Sequence, residues 1–247
     1  MTQQPSSSPE NTMLRSQSPP LPSRQLLSAI FSSLSSDSRR WSLTRTLHSD
    51  NPMDIKGELH GTATFQPLLQ RGTGPDRDMV YREEGEMPNM PGMGMGMAGL
   101  RWSKRYIWRL SESGKISVWF VKVGGGGGGG SGGSKKTGNE EEEADYLFHE
   151  FDFNSHSHHT HNHPAESAGE TFVTAPIPPV ASIAGDTAVL AARGNHLCIN
   201  DMYRTAYAFR VHSETGEVLS WSSRHMVKGP KKDQDIVNIY QRENTSV

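Results

Sequence analysis

The sequence predicts a mainly β protein, a single antiparallel barrel of about eight to ten strands with one short N-terminal helix. Three observations predict it. Ten stretches alternate large apolar residues with polar or small ones at a period of two: 41–48, 56–65, 79–84, 102–110, 115–122, 146–152, 187–198, 202–212, 217–227 and 235–242. Hairpin turns such as Ser111-Glu-Ser-Gly114 and Ser213-Glu-Thr-Gly216 separate neighbouring stretches. Only one stretch, 24–34, has a helical period.

In that helix Leu26, Leu27, Ile30, Phe31 and Leu34 make one apolar stripe, and Ser23 stands where an N-cap belongs. A stripe on a helix this short serves as a lid or as a plug at one end of a domain. The stretch 56–65 puts Gly57, Leu59, Gly61, Ala63 and Phe65 on one face, small alternating with large, as suits a strand bent around a barrel. Trp102, Lys104, Tyr106, Trp108 and Leu110 share a face, as do Ile116, Val118 and Phe120 on the next stretch. In 146–152, Leu147, His149 and Phe151 lie opposite Tyr146, Phe148 and Glu150. Tyr203, Thr205, Tyr207, Phe209 and Val211 form another face, and Leu219, Trp221, Ser223, His225 and Val227 the next. An up-and-down barrel of lipocalin or fatty-acid-binding type fits best, ahead of a sandwich.

Composition sets the domain plan. Only 33% of the 247 residues are hydrophobic, against a usual ~45–50%. The shortfall lies in low-complexity stretches that cannot pack. One barrel domain over 23–242 is therefore expected, after a disordered tail at 1–22 and interrupted by inserts at 86–99, 124–145 and 154–186. The Met-rich insert suits a soft metal and the histidines of 156–163 a borderline one, yet neither brings fixed geometry, and both read as flexible loops. The glycine run is followed by neither a Gly-Lys-Ser/Thr end nor a helix, so it is no phosphate loop.

A net charge of -2 and a pI near 6.6 give no electrostatic case for nucleic acid. No apolar run reaches the ~18 residues of a membrane span. One cysteine excludes an internal disulfide and fits the cytoplasm. A mitochondrial address, suggested by the Ser/Arg-rich start, is the weaker alternative because Pro5, Pro9, Pro19, Pro20 and Pro22 break a long amphipathic helix.

Chemically capable groups gather in His196-Leu-Cys-Ile-Asn-Asp-Met-Tyr203. The spacing of two puts His196 and Cys198 on one face, where an imidazole could lower a thiol pKa. A buried structural cysteine at a strand-to-strand bend is the plainer reading, with Asp201 capping the turn. Glu83 and Glu84 point to opposite faces and cannot form a carboxylate pair. His149 and His196 facing inward together could hold haem, a less favoured reading. Lys231, Lys232 and Arg242 could take an anionic group, although a solvated turn and an arginine paired with an acid across the barrel end describe them better. No catalytic or metal set is assigned, and no cofactor is named. The expected function is the holding of one small apolar or aromatic ligand, with Tyr106, Trp108, His149, His196, Tyr203 and Trp221 in contact with it. A small-molecule enzyme using His196 and Cys198, or an interaction scaffold, are the alternatives. The oligomeric state stays open.

Several short motifs in fixed order carry a resemblance: Trp41 with Arg45; Gly57-x-x-x-Gly61-x-Ala63-x-Phe65; Tyr81-x-Glu83-x-Gly85; Arg105-Tyr106-x-Trp108; Phe148-His149; His196-x-Cys198-x-x-Asp201-x-Tyr203; Trp221; and Gly229-Pro-Lys-Lys-Asp233 leading to Tyr240-x-Arg242. The chain resembles an uncharacterised domain-of-unknown-function family of fungi and bacteria, whose members stand alone or are joined to flavin- or nicotinamide-dependent oxidoreductase domains. The resemblance implies a calycin-like barrel and no particular reaction. The Gly-x-Gly-x-x-Gly spacing falls only in the low-complexity stretches, such as Gly94–Gly99 and the glycine run, where no helix follows, so the chain has no dinucleotide fingerprint of its own.

Overall fold

The computed structural model describes residues 22–36, 40–52, 54–68, 77–87, 100–122, 142–153, 173–180, 185–198, 200–230 and 232–243. These form one helix, α1 (Arg24–Leu34), and ten strands. The first six strands are β1 (Arg40–Ser49), β2 (Gly57–Pro67), β3 (Arg77–Glu86), β4 (Arg101–Leu110), β5 (Ile116–Val121) and β6 (Ala144–Phe151). The last four are β7 (Thr187–Cys198), β8 (Asp201–His212), β9 (Val218–Gly229) and β10 (Lys232–Arg242). The tail, the Met-rich stretch 88–99, the glycine run and the histidine tract 156–163 lie outside the described residues.

The ten strands make one sheet in the order β6-β5-β4-β3-β2-β1-β10-β9-β8-β7, antiparallel throughout. This is an up-and-down meander whose first and last strands pair, from Trp41↔Arg242 to Ser49↔Gln234. Among the described residues, the two ends of the sheet order, β6 and β7, meet through one bridge in which Asp152 and Arg193 exchange backbone N–H···O bonds of 3.0 and 2.9 Å. The sheet is therefore a nearly closed barrel of ten strands, as the alternation predicts.

The inward residues grade from one end of the barrel to the other. At the helix end stand Trp41, Phe65, Met79, Trp108, Leu110, Ile116, Phe151, Phe209, Val211 and Trp221, all buried in one apolar cluster. Toward the opposite end the same strand faces carry Arg45, Glu83, Lys104, Tyr106, His149, His196, Tyr203, Thr205, Ser223, His225 and Asn238.

The helix plugs the apolar end. The Ser23 hydroxyl caps it by accepting from the Leu26 N–H at 3.2 Å. Leu27, Ile30, Phe31 and Leu34 are buried against the barrel, each contributing ~1.5–3 kcal/mol by the usual area scale. Polar bonds fix the plug's rotation: the Val218 N–H donates to Ser33 Oγ at 2.8 Å, Trp41 Nε1 to the Leu34 carbonyl at 3.4 Å, and Arg77 to Ser28 and Ser32.

Residues 173–180 lie within the stretch read from sequence as an insert. They run along the outer face of β8 and β9. There the Pro176 and Pro179 carbonyls accept from Ser222 and Ser220, and Arg210 donates to the carbonyls of Pro178 and Pro179. Proline carbonyls suit this strap because the residue has no N–H to satisfy.

Candidate functional site

The site is the polar half of the barrel interior. Its anchor is Arg45 on β1, only 6% exposed, facing Glu83 on β3, 2% exposed. Both occupy the inward phase of their strands, so alternation buries two opposite charges where apolar residues would otherwise pack. The pair is bidentate: Arg45 Nη1 and Nη2 donate to Glu83 Oε1 and Oε2 at 2.9 and 2.8 Å. Arg45 Nε donates to Asn238 Oδ1 at 2.6 Å, which turns the Asn238 amide nitrogen toward Ser223 Oγ at 2.9 Å. Ser223 in turn meets His225 Nε2 at 3.1 Å. On the other side Tyr81 donates to Glu83 Oε2 at 2.6 Å; having spent its proton there, it accepts from the Tyr240 hydroxyl at 2.9 Å. Burial works against the Arg45 charge, but Glu83 with Tyr240 and Tyr81 together outweigh it and hold the guanidinium pKa above its ordinary value.

Trp102 completes this wall. The Arg45 guanidinium lies 5.3 Å from its ring centroid, and the indole rests on Gly61 and Gly85. A Cβ at either glycine would collide with backbone of the neighbouring strand, and at Gly85 with the indole as well.

Across the barrel stand two imidazoles. His149, 1% exposed, meets the Tyr207 hydroxyl through Nε2 at 2.7 Å. Its ring centroid lies 5.5 Å from that of His225, edge to face. Burial, and then the neighbouring His225 and His196, push the His149 pKa well below its ordinary value. Burial, followed by Arg45 and Lys104, pushes His225 down to about 3. Both rings are therefore neutral at pH 7. Among the described residues, neither Nδ1 atom has a hydrogen-bond partner, although both are buried. An unmet buried donor or acceptor costs about 1–3 kcal/mol.

Aromatic rings line the approach. Tyr106 stacks on Phe148 at 5.4 Å and touches Phe120 at 5.6 Å; Phe148 meets Tyr203 edge-on at 5.8 Å. Trp102, Tyr106, Phe120, Phe148, His196, Tyr203 and His225 face inward yet are only half-buried. Among the described residues, nothing closes the end away from α1 over these inward side chains, which reach solvent there. Lys104 stands at this mouth, 4.0 Å from Glu83, its side chain 49% exposed. Burial of its amine and the nearby Arg45 lower its pKa.

The family model of the "Family of unknown function (DUF6314)" matches residues 38–242. The chain belongs to this family. The match takes in all ten strands of the DUF6314 barrel and stops short of the helical plug. No curated protein and no solved structure matches the chain.

Most residues singled out from sequence have a definite place in this member of DUF6314. Tyr106, His149, His196 and Tyr203 lie in the polar half of the barrel interior. Trp108 and Trp221, 3% and 1% exposed, lie below it. There Trp108 contacts Phe65, Phe151 and Tyr207, and Trp221 stacks on Tyr240 at 3.4 Å. The Tyr203 hydroxyl accepts from Lys232, which also pairs with Asp201 at 2.8 Å, so the 196–203 segment is a bend clamped to the β9–β10 turn. The side chain of Cys198 and the whole of Lys231 lie outside the described residues. Arg242 pairs with Glu217 at 2.7 Å at the plugged end, the structural role read for it. Among the described residues no three His, Cys, Asp or Glu side chains form a metal-holding group, and no helix is long and apolar enough to cross a membrane.

The sequence reading did not assign Arg45, Asn238, Ser223 and His225 to the site. A signal for them was present: each breaks the apolar phase of its strand with a polar group. Phe148 turns inward beside His149 because β5 and β6 shift register between Val118 and Val121. Strict alternation puts these two neighbours on opposite faces.

Proposed function

We propose that this barrel is a binding module that takes one small apolar or aromatic ligand through its open end. Tyr106, His196 and Tyr203 would wall the ligand, His149 would meet its inner end, and Trp108 and Trp221 would form the floor beneath. The observation that carries this reading is the gradation of the interior, dry aromatic packing at the plugged end and half-exposed aromatic and polar groups at the open one. Stability alone does not account for the polar half. A buried ion pair replaced by apolar residues of similar volume is often neutral or stabilising, by about 1–4 kcal/mol. A ligand chamber accounts for both the wall of rings and the few fixed polar groups.

Acid–base catalysis is the weaker reading. A general base works best with a pKa near the working pH. His225 at about 3 and the still-neutral His149 are poor proton acceptors at pH 7. A single cysteine supports a reducing, cytoplasmic setting for such a module.

Purification of the full chain from its own host, followed by native mass spectrometry and an absorption spectrum, tests the reading. A single bound organic molecule, released on denaturation, is expected. A bare chain mass, together with no saturable uptake of anilinonaphthalene sulfonate, would refute it.

A further inference from the structure

Following the protons through the chamber wall leaves two of them unspent. Ser223 Oγ accepts from Asn238 Nδ2, and its own hydrogen has one acceptor among the described residues, His225 Nε2. With Nε2 accepting, neutral His225 carries its proton on Nδ1. The same accounting holds for His149, whose Nε2, at 2.7 Å, is the one partner of the Tyr207 hydroxyl among the described residues. Tyr207 donates there, and the His149 proton also sits on Nδ1. Both Nδ1 atoms are buried without a partner among the described residues, on rings 5.5 Å apart.

Among the described residues, the surroundings supply no acceptor for them. Glu83 is the carboxylate of this wall, and it is taken by two bonds from Arg45 and one from Tyr81. The other charged or titratable groups nearby, Arg45, Lys104, His196 and Tyr106, include two cations and no further anion. The chamber thus offers paired donors within a field that favours negative charge.

We propose that the ligand is an apolar or aromatic molecule ending in an oxygen acceptor, carboxylate before carbonyl, received by the Nδ1–H groups of His149 and His225. This deepens the binding-module reading and rests on it. The two imidazoles would then serve as neutral donors that select for oxygen, while the rings around them select for shape.

Two measurements on the full chain test it. Long-range nitrogen-15 correlation spectra of the free protein should show both histidines as Nδ1–H tautomers at pH 7; an Nε2–H tautomer at either overturns the proposal. Titration should then compare three probes of one shape: naphthoate, naphthyl methyl ketone and ethylnaphthalene. The oxygen-bearing probes are expected to bind at least about tenfold more tightly than the hydrocarbon, the scale of one hydrogen bond. The Hδ1 resonances of both histidines should move on binding. Equal binding of all three with unmoved histidines, the result expected if buried water satisfies the donors, overturns the oxygen inference and leaves the module standing. Binding of none overturns both.

Discussion

Arg45 and Glu83 show how much one pair of side chains can organise. Their bonds reach β10 through Asn238 and β9 through Ser223, so four strands share one polar network. Removing one partner strands the other charge in the barrel. Glu83→Gln or Arg45→Leu should each cost about 3–5 kcal/mol in urea unfolding, while Arg45→Leu with Glu83→Leu should cost much less than the sum. An additive double variant would contradict the account. The histidines predict a pH dependence. Their folded pKa values lie below the unfolded value near 6.5, so the unfolded chain binds more protons in acid. Stability is complete above pH 6.5 and declines as pH falls toward about 3, by up to about 1.4 kcal/mol per unit for each histidine. His225→Gln should flatten the slope of unfolding free energy between pH 6 and 4, to about half if the two rings titrate alike. These residues were only partly legible in sequence. A charge in the apolar phase is visible, but its partner lies 38 positions away in Arg45–Glu83 and 193 in Arg45–Asn238, and one sequence cannot supply that pairing.

At the scale of elements, period-two alternation located every strand and a single stripe located the helix, because both patterns report one buried face. What alternation could not report is the shift of register that lets Phe148 and His149 both turn inward. The β6–β7 seam is the other feature beyond its reach. It closes by one bridge, and Gly194 sits so close to the Glu150 carbonyl that any Cβ would collide with it. Gly194→Val should open the seam. Hydrogen exchange is expected to rise in β6 and β7 while β1, β2 and β10 stay protected; uniform protection would show that the seam tolerates the side chain. The plug follows ordinary core energetics. Phe31→Ala should cost about 3–5 kcal/mol, read by thermal or urea unfolding.

For the whole molecule, the meander brings the first strand to the last, and the helix then closes one end. The architecture was legible because each hairpin is local. The up-and-down barrel expected from sequence implies pairing of the first and last strands, as β1 and β10 do. The seam between β6 and β7 and the strap of 173–180 were not legible, since both depend on contacts far apart in the chain. The central claim is that the open end leads to a chamber that holds a ligand, and a plug of that chamber tests it most directly. Thr205 lies inward between Tyr203 and Tyr207 and is 2% exposed, while His196 stands nearer the mouth. Equilibrium dialysis of anilinonaphthalene sulfonate should show one saturable site in the wild-type chain. Thr205→Trp and His196→Trp, with far-UV circular dichroism unchanged, should each weaken it by about a hundredfold. Undiminished binding in both folded variants would contradict the account.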